Sequence, residues 1–235
     1  MELRVLNSPA AVAQVAAKRL VELRPKSVAL SGGSTPRALY ELLAEPAEPF
    51  REQIAWGDID FFFSDERHVP PDHPDSNYRM ANETLFTRVP APPHRVHRIP
   101  AENPIAVRAA EEYEAGLRNF FGAARPAFDL LLLGLGEDGH TASLFPGSPA
   151  LRETERLVAA PWVEKFSAYR ITLTLPVLNN AGSVIFLVTG ASKANILEKV
   201  LEGGPNSEGF PAHAVQPASG NLLWLVDEAA AALIK

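Results

Sequence analysis

Short apolar runs alternate with longer amphipathic stretches along the whole chain. Residues 3–6 read as a first strand, and Ser8-Pro9 then opens a helix, with serine as the cap and proline at the first helical position. Val12, Val15, Ala16, Leu20 and Leu23 recur along it at helical spacing. Residues 28–30 form a buried strand, and Thr35-Pro36 opens the next helix with Ala38, Leu39 and Leu42 on its inner face. A strand over 59–63 is apolar on both faces apart from Asp60. A helix over 77–86 and a short strand over 96–99 follow. Asn103-Pro104 repeats the cap-then-proline signal ahead of Ala109, Tyr113, Leu117, Phe120 and Phe121 in helical register. Residues 128–133 are a strongly buried strand, 171–175 alternate, 184–188 are continuously apolar, and 191–201 read as a helix. A strand over 222–226 and a short Ala-rich helix close the chain.

Strands that are apolar throughout are covered on both faces. Alternation with helices then predicts right-handed crossovers and an α/β fold built on a mostly parallel, doubly wound sheet with helices on both faces. The Pro-rich stretches 69–74 and 89–93 read as ordered loops inside one domain spanning 1–235.

Composition narrows the function classes. A hydrophobic fraction of 46% and a charged fraction of 21% are ordinary for a globular chain. No apolar run approaches membrane-spanning length, and the N-terminus lacks the basic start and apolar core of a signal peptide, so a cytoplasmic location and no membrane partner are expected. The absence of cysteine excludes disulfides, thiolate zinc sites and a cysteine nucleophile. A net charge of −6 with no basic face argues against nucleic acid. An anionic substrate would need local cations. The pattern leaves a monomer or a small homo-oligomer equally open.

Ligands in open α/β sheets bind beyond the carboxyl ends of the strands. Four such ends carry polar groups: SGGSTP at 31–36, SDERH at 64–68, GLGEDGHTAS at 134–143 and TGASK at 189–193. Gly32 and Gly33 permit a tight turn after Ser31 and before Ser34, and Thr35 and Pro36 then begin a helix. This is either a plain turn or an anion site at a helix N-terminus. Lys193 favours the second reading, because a cation in the first turn of a helix is disfavoured by about 0.3–1 kcal/mol unless an anion reverses the sign. Arg170 supplies a second cation or a surface ion pair. Arg67 either pairs with Asp65 or Glu66, or binds an anion or a carbonyl. Asn77 reads locally as a helix cap. The histidines at 68, 73, 94 and 97 sit beside arginines or in no established ligand spacing, so no metal is expected.

His140 stands apart, following Gly139 at the end of the most apolar strand, with Asp138 two residues before it. Imidazole is the usual general base near neutral pH, and a carboxylate can hold it in one tautomer. The preceding GLGEDG matches the G-x-G-x-x-G of dinucleotide loops. However, Pro146 and Gly147 interrupt any helix, and no acidic residue follows at the end of a next strand.

LSGGSTP, SDERHVPPDHPDSNY, FDLLLLGLGEDGHTASLFPG, RITLTLPVLNNA, FLVTGASKANIL and PAHAVQPASGNLLWLVDEAA together resemble the glucosamine-6-phosphate isomerase/6-phosphogluconolactonase family over nearly the whole chain. The resemblance implies a Rossmann-like fold without metal or organic cofactor. It also implies hydrolysis of the sugar-phosphate lactone 6-phospho-D-glucono-1,5-lactone. Isomerases of the family continue the Asp-Gly-His loop to a glutamate, and Phe145 stands at that position here. On this reading His140 is the base, Asp138 orients it, and Arg67 stabilises charge on the carbonyl oxygen. Gly32, Gly33, Ser34, Thr35, Lys193 and Arg170 hold phosphate, while Asp65 and Asn77 occupy motif positions without an assigned contact. The rival readings are the amino-sugar-phosphate isomerase, a non-catalytic sugar-phosphate sensor and, more distantly, a nicotinamide dehydrogenase.

Overall fold

The computed structural model describes residues 1–122, 125–203 and 209–235. Six strands form a parallel sheet in the order β1-β10-β9-β5-β2-β3: β1 (Glu2–Leu6), β2 (Ser27–Leu30), β3 (Asp60–Phe63), β5 (Leu130–Leu133), β9 (Val184–Val188) and β10 (Leu222–Asp227). The four inner strands are buried along their whole length, which is why they read as uninterrupted apolar runs. Trp224 stacks on Phe186 across β10 and β9, with ring centroids 3.8 Å apart.

Helices flank the sheet: α1 (Pro9–Leu23), α2 (Ser34–Ala44), α3 (Phe50–Gln53), α4 (Asn77–Ala81), α5 (Ala106–Phe121), α6 (Leu175–Leu178) and α7 (Ala194–Glu202). Ser8 caps α1 as its sequence signals, its Oγ accepting from the Ala11 amide at 3.2 Å. None of the described helices is long and apolar enough to cross a membrane.

A second sheet lies over the carboxyl ends of the first. Its antiparallel strands are β4 (Asp65–Arg67), β8 (Ala168–Leu173) and β6 (Val158–Ala159), and β7 (Trp162–Val163) pairs with β8. Sequence patterning shows β8 alone of these, because β6 and β7 have two residues each and β4 is the polar triplet Asp-Glu-Arg.

Several expectations shift. Residues 96–99 form one bridge, Val96 to Phe61, rather than a strand. The helix after Asn103 starts at Ala106, since Asn103 Oδ1 is occupied by the Ile105 amide at 3.0 Å. The inner face of α2 is Leu39, Tyr40 and Leu43, with Leu42 half-buried against the core beside them and Ala38 off that face. The helix over 77–86 is α4 followed by a wider π turn over Asn82–Phe86. The closing Ala-rich segment is a run of turns rather than a helix.

From β2 the chain steps outward to β3, whereas β5, β9 and β10 lie on the other side of β2. The loops after β2 and β5 therefore diverge, and such a switch point opens a crevice at the sheet's carboxyl edge.

Candidate active site

A cavity of about 470 Å³ occupies that crevice. The loop after β2 contributes Gly32, Gly33, Ser34 and Thr35 to its wall. Gly33 caps α2 without a side-chain bond, and the amides of residues 32–35 have no acceptor among the described residues. Free amides at a helix N-terminus are the geometry an anion can accept from. Thr35 Oγ1 lies 2.8 Å from Thr189 Oγ1, which ties this loop to the one after β9 that carries Lys193.

The loop after β3 becomes β4. Arg67 on β4 lies directly opposite Arg170 on β8, and both line the cavity. The ion pair of Arg67 with Asp65 or Glu66, one of the two readings open to it, does not form. Its guanidinium donates to the Asp75 carbonyl at 2.6 Å, and Arg170 donates to the Tyr169 carbonyl at 3.2 Å. Among the described residues, neither arginine nor Lys193 has a carboxylate partner. Burial, and next the charge of Arg67, lower the proton affinity of Arg170. Like charges facing each other across a strand pair are unfavourable, and an anion between them removes the penalty.

Glu66 is committed elsewhere. Its carboxylate accepts from the amides of Arg67, Asn77 and Tyr78 and from Ser76 Oγ, at 2.8–3.0 Å. Ser76 rather than Asn77 caps α4, so the cap expected at Asn77 moves one residue back. The Asn77 side chain instead donates from Nδ2 to the Asp65 carbonyl at 2.9 Å, and its Oδ1 is buried without a partner at the cavity. Ser31 Oγ is a second buried, unpartnered atom on the same wall. Asp65 is buried and accepts from Ser143 Oγ at 2.7 Å.

The loop after β5 carries Asp138 and His140. No helix follows GLGEDG, so it is not a dinucleotide loop. It closes on itself, with Gly136 N donating to the His140 carbonyl at 2.8 Å and Gly139 N to the Gly136 carbonyl at 3.0 Å. His140 lines the cavity, and its Nδ1 bonds Asp138 Oδ1. Asp138 stands behind the imidazole rather than on the cavity wall. Burial alone would raise its pKa, but the bond and charge of His140, then the bond from Lys165, outweigh burial and hold the carboxyl below its usual range. An ionised carboxylate can only accept, so the proton sits on Nδ1 and Nε2 keeps a free lone pair. Phe145 covers the ring, with centroids 4.1 Å apart, and Phe166 meets Phe145 edge-on at 5.9 Å.

The residues singled out in the sequence thus converge on one cavity, with Asp138 immediately behind it. Ser31, Ser143, Lys165 and Phe166 carried no signal, and Asp75 only that of a metal reading set aside for lack of ligand spacing. The hydroxyl residues sit among many like them, and Lys165 and Phe166 lie in a short exposed turn with no periodicity. Among the described residues, no three His, Asp or Glu side chains converge as metal ligands.

The family model described as glucosamine-6-phosphate isomerases/6-phosphogluconolactonase matches residues 6–224. The 6-phosphogluconolactonase of Synechocystis sp. is 43% identical over 216 residues, covering 91% of this chain and 86% of that protein. The 6-phosphogluconolactonase of Homo sapiens is 44% identical over 236 residues, covering 96% and 89%. The solved structure of the 6-phosphogluconolactonase of Trypanosoma brucei superposes with a TM-score of 0.86 at 32% identity, covering 100% of this chain and 98% of that one.

Proposed function

The chain belongs to the glucosamine-6-phosphate isomerase/6-phosphogluconolactonase family, and from that premise we propose that it hydrolyses 6-phospho-D-glucono-1,5-lactone to 6-phospho-D-gluconate, a step of the oxidative pentose phosphate pathway. The observation that carries this reading is the His140 imidazole, held by Asp138 on one nitrogen and open to a cationic cavity on the other. Phe145 supports it further. The isomerase branch needs a proton-transferring carboxylate there, and this chain packs an aromatic ring on the base instead.

In this mechanism the phosphate rests on the amides of Gly32 to Thr35, neutralised by Lys193 and Arg170. Anchoring the phosphate fixes the lactone carbonyl relative to His140, a proximity effect. Nε2 takes a proton from water as the water oxygen bonds C1. Charge gathering on the carbonyl oxygen faces Arg67. When the tetrahedral intermediate collapses, the bond from C1 to the ring oxygen breaks, and the imidazolium returns its proton to that oxygen. Asp138 stays ionised throughout and stabilises the imidazolium. Asp65 and the free atoms of Asn77 and Ser31 meet sugar hydroxyls.

The test is turnover of freshly prepared lactone, measured above its spontaneous hydrolysis, by the unmodified protein and by His140→Ala. The substitution is expected to lower kcat by about 10²–10⁴-fold. Near-normal turnover would remove His140 from the reaction, and no turnover by the unmodified protein would overturn the proposal.

A further inference from the structure

Resting on that reading, we infer that Lys165 is a positioning residue that acts on His140 through Asp138. Asp138 is bonded from two separate elements. Its Oδ1 takes His140 Nδ1 on its own loop, and its Oδ2 takes Lys165 Nζ at 3.3 Å, from the 3₁₀ turn Glu164–Phe166 between β7 and β8. The same turn reaches the base by packing. Phe166 lines the cavity, lies 5.5 Å below the Lys165 ammonium, and touches Phe145, the ring that covers the imidazole.

Lys165 is 59% exposed, so its ion pair contributes little to stability. Its effect falls on the chemistry. By holding Oδ2 it aims Oδ1 at the imidazole and keeps the carboxylate ionised. A proton taken from water then stays on His140 and does not pass on to Asp138. The ammonium also offsets part of the negative charge that Asp138 presents to the imidazole, which eases return of the proton to the departing ring oxygen. Without Lys165, Asp138 would belong wholly to His140 but would be free to turn. The imidazole would hold a proton more tightly and be aimed less well.

The other charged groups near the couple are Arg67, Arg170 and Lys193, the carboxylates Asp65 and Asp75 on the cavity wall, Glu137 on the loop itself, and Glu164 on the turn of Lys165. A substitution at 165 leaves all of these in place, so a comparison of variants isolates the lysine.

The experiment compares Lys165→Met and Lys165→Arg in the full chain. Imidazole proton resonances are followed against pH, with His140→Asn identifying the His140 signal. The His140 midpoint is expected to move upward by about 0.3–0.5 pH unit in Lys165→Met, the effect of one charge near solvent, and to stay in place in Lys165→Arg. In turnover, Lys165→Met is expected to lower kcat by about 3–10-fold with KM nearly constant, as misaimed groups do. The acid limb should follow the titration, and arginine should restore both. Added to Asp138→Asn, Lys165→Met should cost nothing more, because a residue acting through Asp138 has nothing left to act on. An unmoved titration, a full loss on top of Asp138→Asn, or a raised KM with kcat kept would each overturn the inference. The titration needs no turnover, so it fails or succeeds independently of the lactonase reading, which the unmodified protein's assay decides.

Discussion

Alanine at Gly134, Gly136 and Gly139 separates three physical roles written with one letter. A Cβ at Gly134 would meet no heavy atom within 4 Å. At Gly136 it would lie 2.0 Å from His140 Nδ1 and 2.1 Å from Cε1. At Gly139 the backbone is left-handed, with φ at +80°, and a Cβ would lie 2.5 Å from Phe210 Cδ1. For Gly136→Ala, ordinary contact at 3.4 Å requires the ring to retreat by about 1.4 Å. That breaks its bond to Asp138 or reshapes the loop. A misplacement near 1 Å costs about 10²-fold in rate. The imidazole is partly exposed and retreats toward the cavity, so unfolding free energy should change by less than about 1 kcal/mol. Gly139→Ala carries about 1–2 kcal/mol of left-handed strain plus the displacement of Phe210, and the loss should show in stability before activity. Gly134→Ala should stay within about 0.5 kcal/mol of the parent. The assays are kcat on fresh lactone and urea unfolding of each variant. Gly136→Ala turning over within a few-fold of the parent, or losing as much stability as Gly139→Ala, would refute the steric account. A dinucleotide loop would make the first glycine the sensitive one, because its tight turn depends on it.

Two further outcomes follow from buried or partly buried polar groups. Tyr113→Phe removes a hydroxyl that accepts from Phe63 N and donates to Phe63 O, both at 3.0 Å. It leaves two backbone groups unpaired on β3, and urea unfolding should register a loss of about 1–3 kcal/mol. Asp138 has its pKa lowered by folding, so the stability it contributes is complete above its unfolded value of about 3.9 and disappears as pH falls through the lower folded value. The melting temperatures of the parent and Asp138→Asn should therefore differ at neutral pH and converge in acid. A constant gap down to the acid limit would contradict the direction of the shift.

The parallel sheet was legible because burial on both faces leaves a direct trace: 184–188 and 128–133 are apolar without interruption, and Ser8-Pro9 marks a helix start by its own chemistry. The small antiparallel sheet left no such trace. Asp65 and Glu66 are buried, but hydrogen bonds rather than hydrophobicity keep them there, and in sequence they look like surface charges. The positions of Gly32, Asp65, Arg67 and His140 at one edge followed from reading what comes after each strand, since parallel strands bring all their carboxyl ends to the same side. Contacts across that edge were beyond reach. Nothing local reports that Arg67 and Arg170, about a hundred positions apart, are register partners. Nor does anything local report that Lys165 reaches Asp138 from another element.

The chain carries a net charge of −6, yet three cations line the cavity without carboxylate partners among the described residues. Exposed charges are screened over about 8 Å at physiological ionic strength, so the distant acidic surface weighs little inside the crevice. On the proposed reading, recognition of an anionic sugar then depends on the few groups that the switch point between β2 and β5 gathers, and not on the field of the whole protein. The same groups explain the absence of ion pairs there. Pairing Arg67 or Arg170 with a carboxylate would relieve their mutual repulsion without a ligand, and would set every incoming phosphate in competition with that carboxylate. With Glu66 taken up by the first amides of α4 and Asp65 by Ser143, that repulsion is left, on the proposed reading, for the substrate to relieve.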